Sequence, residues 1–217
     1  MTTTTAPANA NPPAPAAART PQFRINQRDR LSALLTIIVT LIALLLGLLL
    51  RNSVETRTKA YADASGVSIQ YPDQWRLNTS EAPAGLLVAR DDSAPGYPAT
   101  FEMRWLPADS QAADEEALAN AANTLALNRG RDLAAFQLFE IAGGENVKDL
   151  PGARASYVFV DTSGGAFQER LPAVVLGEDL LARKGNRVYV FSMLATEADR
   201  PGILPLFRAF VESATLP

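Results

Sequence analysis

The chain of 217 residues contains neither cysteine nor histidine. Without cysteine there are no disulfides, thiol nucleophiles or thiolate metal sites, and a bacterial lipid anchor has no attachment point. Without histidine the commonest general base and the commonest transition-metal ligand are absent. Together the two absences remove most hydrolase and zinc chemistries. The motifs G-x-S-x-G, S-x-x-K, G-x-x-x-x-G-K and G-x-G-x-x-G do not occur either. A serine–lysine enzyme would depend on Lys59, Lys148 or Lys184, one in a tether and two in turn-like segments. The chain is therefore expected not to be an enzyme, and to hold no metal or cofactor.

Charge is unevenly spread. Residues 1–60 carry seven Lys and Arg against Asp29 and Glu55, a balance of +5. Of the whole-chain totals of 20 and 23, that leaves 13 basic and 21 acidic groups beyond residue 60, a balance of −8. So acidic a region has no electrostatic footprint for nucleic acid and is repelled by anionic headgroups. The first thirty residues are rich in Pro and Ala and poor in large aliphatics, as in MTTTTAPANANPPAPAAARTPQ. They cannot bury enough apolar surface to offset their ordering entropy, so 1–30 are expected to be a disordered tail.

LSALLTIIVTLIALLLGLLL, residues 31–50, carries no charge. A helix of that length rises about 30 Å, the thickness of a bilayer's hydrocarbon core. RNSVETRTK follows where a cleavable signal would have a small-x-small site. The reading is an uncleaved signal anchor. Arg19, Arg24, Arg28 and Arg30 before the run outnumber Arg51, Arg57 and Lys59 after it, which places the N-terminus in the cytoplasm and the C-terminal domain outside.

Within the run every residue is Leu, Ile or Val except Ser32, Ala33, Thr36, Thr40, Ala43 and Gly47. At about 100° per residue those six fall within roughly 100° of arc. Small residues on one face let a second helix approach closely, and hydroxyls can bond across the contact. The alternative is that Ser and Thr bond back to their own helix. The stripe predicts a transmembrane protein partner or a homo-oligomer.

After a tether at 51–60, residues 61–217 switch repeatedly between periods of two and of about 3.6. Val67, Ile69 and Tyr71 alternate with polar residues in GVSIQY, Pro72-Asp73 turns, and Trp75 follows as a packing anchor. GLLVA (85–89) and FEMRW (101–105) are further strands. A helix capped by Ser110 has acidic Asp114, Glu115 and Glu116 near its start, Leu118, Ala121, Ala122 and Leu125 inward, and Gly130 as its stop. Strands follow at 134–141, 153–160, 170–177 and 187–194. GGEN and DTSGG separate the first three, and EDLLARKGN forms the last connection. Ile203, Leu206, Phe207, Phe210 and Val211 give a closing helix one buried face, with Pro205 delaying its regular part. Strands, helix, strands, helix with hairpin-length links predicts an α+β fold, an antiparallel sheet with packed helices in which GVSIQY is the first hairpin arm.

GVSIQYPDQW near the domain start, with RVYVFSML leading into a terminal helix ending LFRAFVESATL, resembles the PsbP-like family, the extrinsic photosystem subunit and its bacterial relatives. The likeness covers roughly residues 61–217 and would make this a membrane-anchored variant. It implies an α/β/α sandwich and a binding or accessory role at a membrane, without shared catalytic residues. A histidine-based metal site of a relative cannot carry over.

Three further features have an ordinary structural reading. The pairs and triplet Asp91–Asp92, Asp114–Glu115–Glu116 and Glu178–Asp179 suit solvated loops and a helix start better than paired acid–base catalysis. Asp161-Thr-Ser163-Gly-Gly suits a tight turn better than a calcium loop, and Asn78-Thr79-Ser80 is a formal glycosylation sequon. Tyr71, Trp75, Tyr97 and Trp105 either form an aromatic binding surface or belong to the core, and their place on alternating strands favours the core. The expected function is a single-pass anchored accessory or assembly subunit docking on a larger membrane complex. The alternative is an anchored module that binds a small apolar ligand or lipid.

Overall fold

The computed structural model describes residues 27–55, 57–64, 66–78, 85–93, 96–162 and 171–217. Residues 1–26, the sequon positions Thr79 and Ser80, and Ser163-Gly164-Gly165 of the acidic turn lie outside them. The chain divides into two compact units between Asn52 and Ser53.

Helix α1, Gln27–Glu55, contains the window Leu31–Leu48 of mean hydropathy 2.7, none of it buried. Among the described residues it is the one helix long and apolar enough to cross a membrane. The segment expected as a tether is ordered into elements: α1 continues to Glu55, and strand β1, Thr58–Ala62, begins three residues later.

The second unit is α+β. Strand β2, Ser68–Pro72, pairs antiparallel with β1 in a separate two-stranded sheet, so GVSIQY is not an arm of the main sheet as expected. Its alternation holds, with Val67, Ile69 and Tyr71 buried. The main sheet has seven strands: β3 Arg76–Asn78, β4 Gly85–Arg90, β5 Thr100–Pro107, β6 Ala134–Val147, β7 Leu150–Asp161, β8 Ala173–Lys184 and β9 Arg187–Thr196. They lie in the order β3-β4-β5-β9-β8-β7-β6, every neighbouring pair antiparallel. The crossover after β5 runs through helix α2, Asp114–Asp132, to the far edge, and a meander returns β9 to β5.

Helix α2 and helix α3, Arg200–Ser213, pack on opposite faces of this sheet. Leu118, Ala121, Ala122 and Leu125 of α2 meet Ala153, Leu181, Val188 and Val190. Phe207, Phe210 and Val211 of α3 meet Phe101, Tyr189, Phe191 and Met193. On β9 the first set takes even positions and the second takes odd ones, as pleating requires. The result is the α/β/α sandwich that the resemblance implies.

Several expected boundaries move. Ser110 does not cap α2: the N-cap is Ala113, which makes no side-chain capping bond. Buried Arg183 of β8 holds the helix start instead. It donates to the carbonyls of Ala112 (2.6 Å) and Asp109 (2.9 Å) and lies 3.1 Å from the Asp114 carboxylate. Gly130 does not stop the helix, which continues to Asp132 and ends at an extended Leu133.

GGEN is not a connection. It lies inside β6, where Gly144 at φ 77° serves a bulge. The turn that follows is Lys148-Asp149, both left-handed at φ 51° and 61°. EDLLARK is not a connection either but the second half of β8. Pro205 delays nothing, since α3 is regular from Arg200 with Pro201 near its start.

Candidate functional site

The Glu178–Asp179 pair, expected in solvent, is buried. Successive residues of β8 point to opposite faces, so each carboxylate meets a different guanidinium. Glu178 accepts from Arg200 of α3 at 2.7 Å. Asp179 is gripped at both oxygens by Arg129 of α2, with Nη2 2.9 Å from Oδ1 and Nη1 on Oδ2. Arg129 also donates to Ser192 Oγ on β9 at 3.1 Å. Its Cζ stands 4.3 Å from the centroid of the Tyr157 ring on β7, and the Tyr157 hydroxyl is 3.4 Å from Asp179 Oδ1. A fork-on-fork pair of this kind satisfies most of the hydrogen-bonding groups that burial takes from water. Burial by itself pulls the Arg129 guanidinium down, but Asp179 and Tyr157 more than reverse this and hold it firmly protonated. Burial, then the Asp179 charge, pushes the Tyr157 phenol well above the ordinary tyrosine value.

This network floors a cleft of about 370 Å³ on the α2 face of the sheet. Helix α2 packs on β6 to β9, and Glu102 and Arg104 stand at the cleft on β5, forming an ion pair through Arg104 Nη2 and Glu102 Oε2. Leu125 and Leu133 of the helix, Leu194 of β9 and Phe159 of β7 supply the apolar wall. Tyr97 closes one side, edge-on to Phe159 with ring centroids 6.3 Å apart. Burial, then Asp161 and Glu102, raise the Tyr97 phenol far above its usual value, so it is a hydroxyl donor at neutral pH. Arg90, Asp132 and Asp161 also line the cleft. Among the described residues no group of three or more acidic side chains is placed to hold a metal ion.

The four aromatics singled out in the sequence do not form one surface. Tyr71 and Trp75 are buried in the α3-side core, with the Trp75 ring 4.4 Å from Phe101. Trp105 packs half-buried beside the same core, and the Arg187 guanidinium lies 4.6 Å from its ring. Only Tyr97 reaches the cleft. Arg129, Asp179, Glu102 and Arg104 carried no motif. The signal available was the polar phase of FEMRW, which places Glu102 and Arg104 together on one face.

Ser32, Ala33, Thr36, Thr40, Ala43 and Gly47 all lie on α1, exposed. Thr36 Oγ1 donates to the Ser32 carbonyl (2.9 Å) and Thr40 Oγ1 to the Thr36 carbonyl (2.8 Å). Those two hydroxyl protons are engaged within the helix. What the stripe offers is close approach.

A second surface lies on the opposite side of the sheet from the cleft. Helix α3 packs against β2 and β9. Farther along the same face, Val158 pairs with Leu176 and Val160 with Val174 across β7 and β8. Along β7 these positions alternate with buried ones, and Val174 is 58% exposed. Of these four aliphatic side chains Val174 is exposed, and Val158, Val160 and Leu176 are partly buried.

No protein-family model and no curated protein matches the chain. Solved structures do show likeness. Cyanobacterial PsbP (CyanoP) from Synechocystis sp. PCC 6803 matches at 12% identity over 74% of this chain and 92% of that one, with a TM-score of 0.49. Mog1p, a Ran-binding protein of Saccharomyces cerevisiae, matches at 13% over 73% and 95%, TM-score 0.47. LpqN of Mycobacterium tuberculosis, involved in cell envelope biogenesis, matches at 16% over 73% and 90%, TM-score 0.44. All three scores fall below one half. The α/β/α arrangement therefore stands on this chain's own strand order and helix placement.

Proposed function

We propose that the chain is a single-pass, membrane-anchored accessory or assembly subunit whose extracytoplasmic α+β domain docks, without catalysis, on a larger membrane complex. The observation that carries this reading is Val174, 58% exposed beside partly buried Val158, Val160 and Leu176, on a domain joined in sequence to an apolar helix. Aliphatic surface of this kind gains by being covered. The arginine balance around α1 supports an N-terminus in the cytoplasm. The non-catalytic reading draws on Glu102 and Asp179, each of which is held by a guanidinium.

Blue-native electrophoresis of mild detergent extracts tests the proposal. The wild type should migrate in a complex much larger than its own mass, and Val174→Glu should release it. Migration of the wild type only as a lone monomer would remove the reading. A second reading, a module for a small apolar ligand or lipid, rests on the cleft. The charged groups lining that cleft argue against a wholly apolar occupant.

A further inference from the structure

The cleft over Arg129 has the proportions of a small-molecule site. Its volume, about 370 Å³, lies within the range of about 300–1,000 Å³ that such sites occupy. Its floor is preorganised, because Arg129 is fixed by Asp179, Ser192 and Tyr157 on three different strands.

The charges around the cleft select the occupant. Arg129 is neutralised by Asp179 beneath it. Beside Asp179 on the sheet, one strand beyond Ser192, stands the Glu102–Arg104 pair, in which Arg104 uses Nη2 and Glu102 uses Oε2. The rim adds one cation, Arg90, and two carboxylates, Asp132 and Asp161. A purely anionic ligand would meet the fields of Glu102, Asp132 and Asp161, and a purely cationic one those of Arg90 and Arg104. A ligand bearing one charge of each sign, set head-to-tail beside the Glu102–Arg104 pair, meets an opposite charge at both ends. Apart from Asn128 the rest of the cleft is apolar or aromatic, with Leu133, Leu194, Phe159 and the ring of Tyr97 among its lining, so the zwitterion should carry an apolar body.

We propose that this cleft binds a small zwitterion of the amino-acid class. The Arg104 guanidinium takes its carboxylate, the Glu102 carboxylate takes its ammonium, and Tyr97 and Phe159 hold its side chain. The cleft lies on the opposite face of the sheet from Val174, so the two proposals succeed or fail separately.

Calorimetric titration of the full chain in detergent micelles tests the idea. The probes are L-phenylalanine, L-leucine, phenylethylamine, 3-phenylpropionate and phosphoethanolamine. The two amino acids should bind with dissociation constants of about 1 mM or tighter. Removing either ligand charge, as in the amine and the acid, should weaken binding by about tenfold or more. Glu102→Gln and Arg104→Gln should each do the same, while Val174→Glu should leave binding intact. No heat from either amino acid would overturn the proposal, as would equal binding of the amine or the acid. Binding of phosphoethanolamine alone would assign the site to a headgroup instead and overturn the amino-acid class. The ligand comparisons use the wild type, so an unstable variant does not blunt the test.

Discussion

Tyr157 and Gly177, paired directly across β7 and β8, share one space: a Cβ at Gly177 would overlap the ring carbons Cε2 and Cζ of Tyr157. The missing side chain lets the fully buried ring lie over the neighbouring strand, where it meets the Arg129 guanidinium. The glycine is needed here for room rather than for backbone freedom.

Gly177→Ala should therefore lower stability by about 1–3 kcal/mol, the usual cost of overpacking a filled core. Combining it with Tyr157→Leu should cost less than the two single changes added together, because the second removes the obstruction. Denaturation midpoints of the four proteins check this.

Arg129→Met leaves the Asp179 carboxylate, 1% exposed, without its guanidinium. The expected loss is about 3–5 kcal/mol, and the double change Arg129→Met with Asp179→Leu should recover most of it. Urea titration of the two variants reads the difference. Equal losses in both would mean that the pair contributes through packing alone.

The raised tyrosines predict an alkaline limit. Below the ordinary tyrosine value of about 10, Tyr97 and Tyr157 are neutral in both folded and unfolded states, and their contribution is fully present. As pH climbs past that value the unfolded chain releases these protons while the folded one keeps them. Stability should then fall with rising pH. Melting temperatures measured on either side of about pH 10 should show the decline, and Tyr97→Phe should flatten it.

On α1, a Cβ at Gly47 would meet nothing within 4 Å, so the helix alone has room for a larger residue. Gly47→Ile or Thr40→Leu should weaken association in a membrane two-hybrid assay while leaving insertion unchanged. Unchanged signal from both would discard the stripe as an interface.

The parts of the fold legible in the sequence were those set by neighbours along the chain. FEMRW alternates because β5 has one apolar and one polar face, RVYVFSML is apolar in both phases because β9 is covered on both sides, and Phe207, Phe210 and Val211 recur at helical spacing because α3 has one buried side. The errors fall where a residue's usual preference was overruled. GGEN has turn composition, yet the register of β6 against β7 absorbs it as a bulge. EDLLARK looks like a wet connection because Glu, Asp, Arg and Lys seldom enter a sheet interior. Ser110 looked like the helix cap until Arg183, far along the chain, took over the helix start.

The cleft was hidden for the same reason. Asp179 is an ordinary surface residue until Arg129, 50 positions away, comes to lie against it, and Ser192 is 63 positions from the same guanidinium. The sequence by itself determined the apolar helix, the alternating strands and the closing helix, because hydrophobic periodicity is a local property. Which charges could leave water, and so where a polar cleft could be floored, was decided by tertiary structure alone. A carboxylate is stable inside only when its partner arrives from elsewhere in the chain.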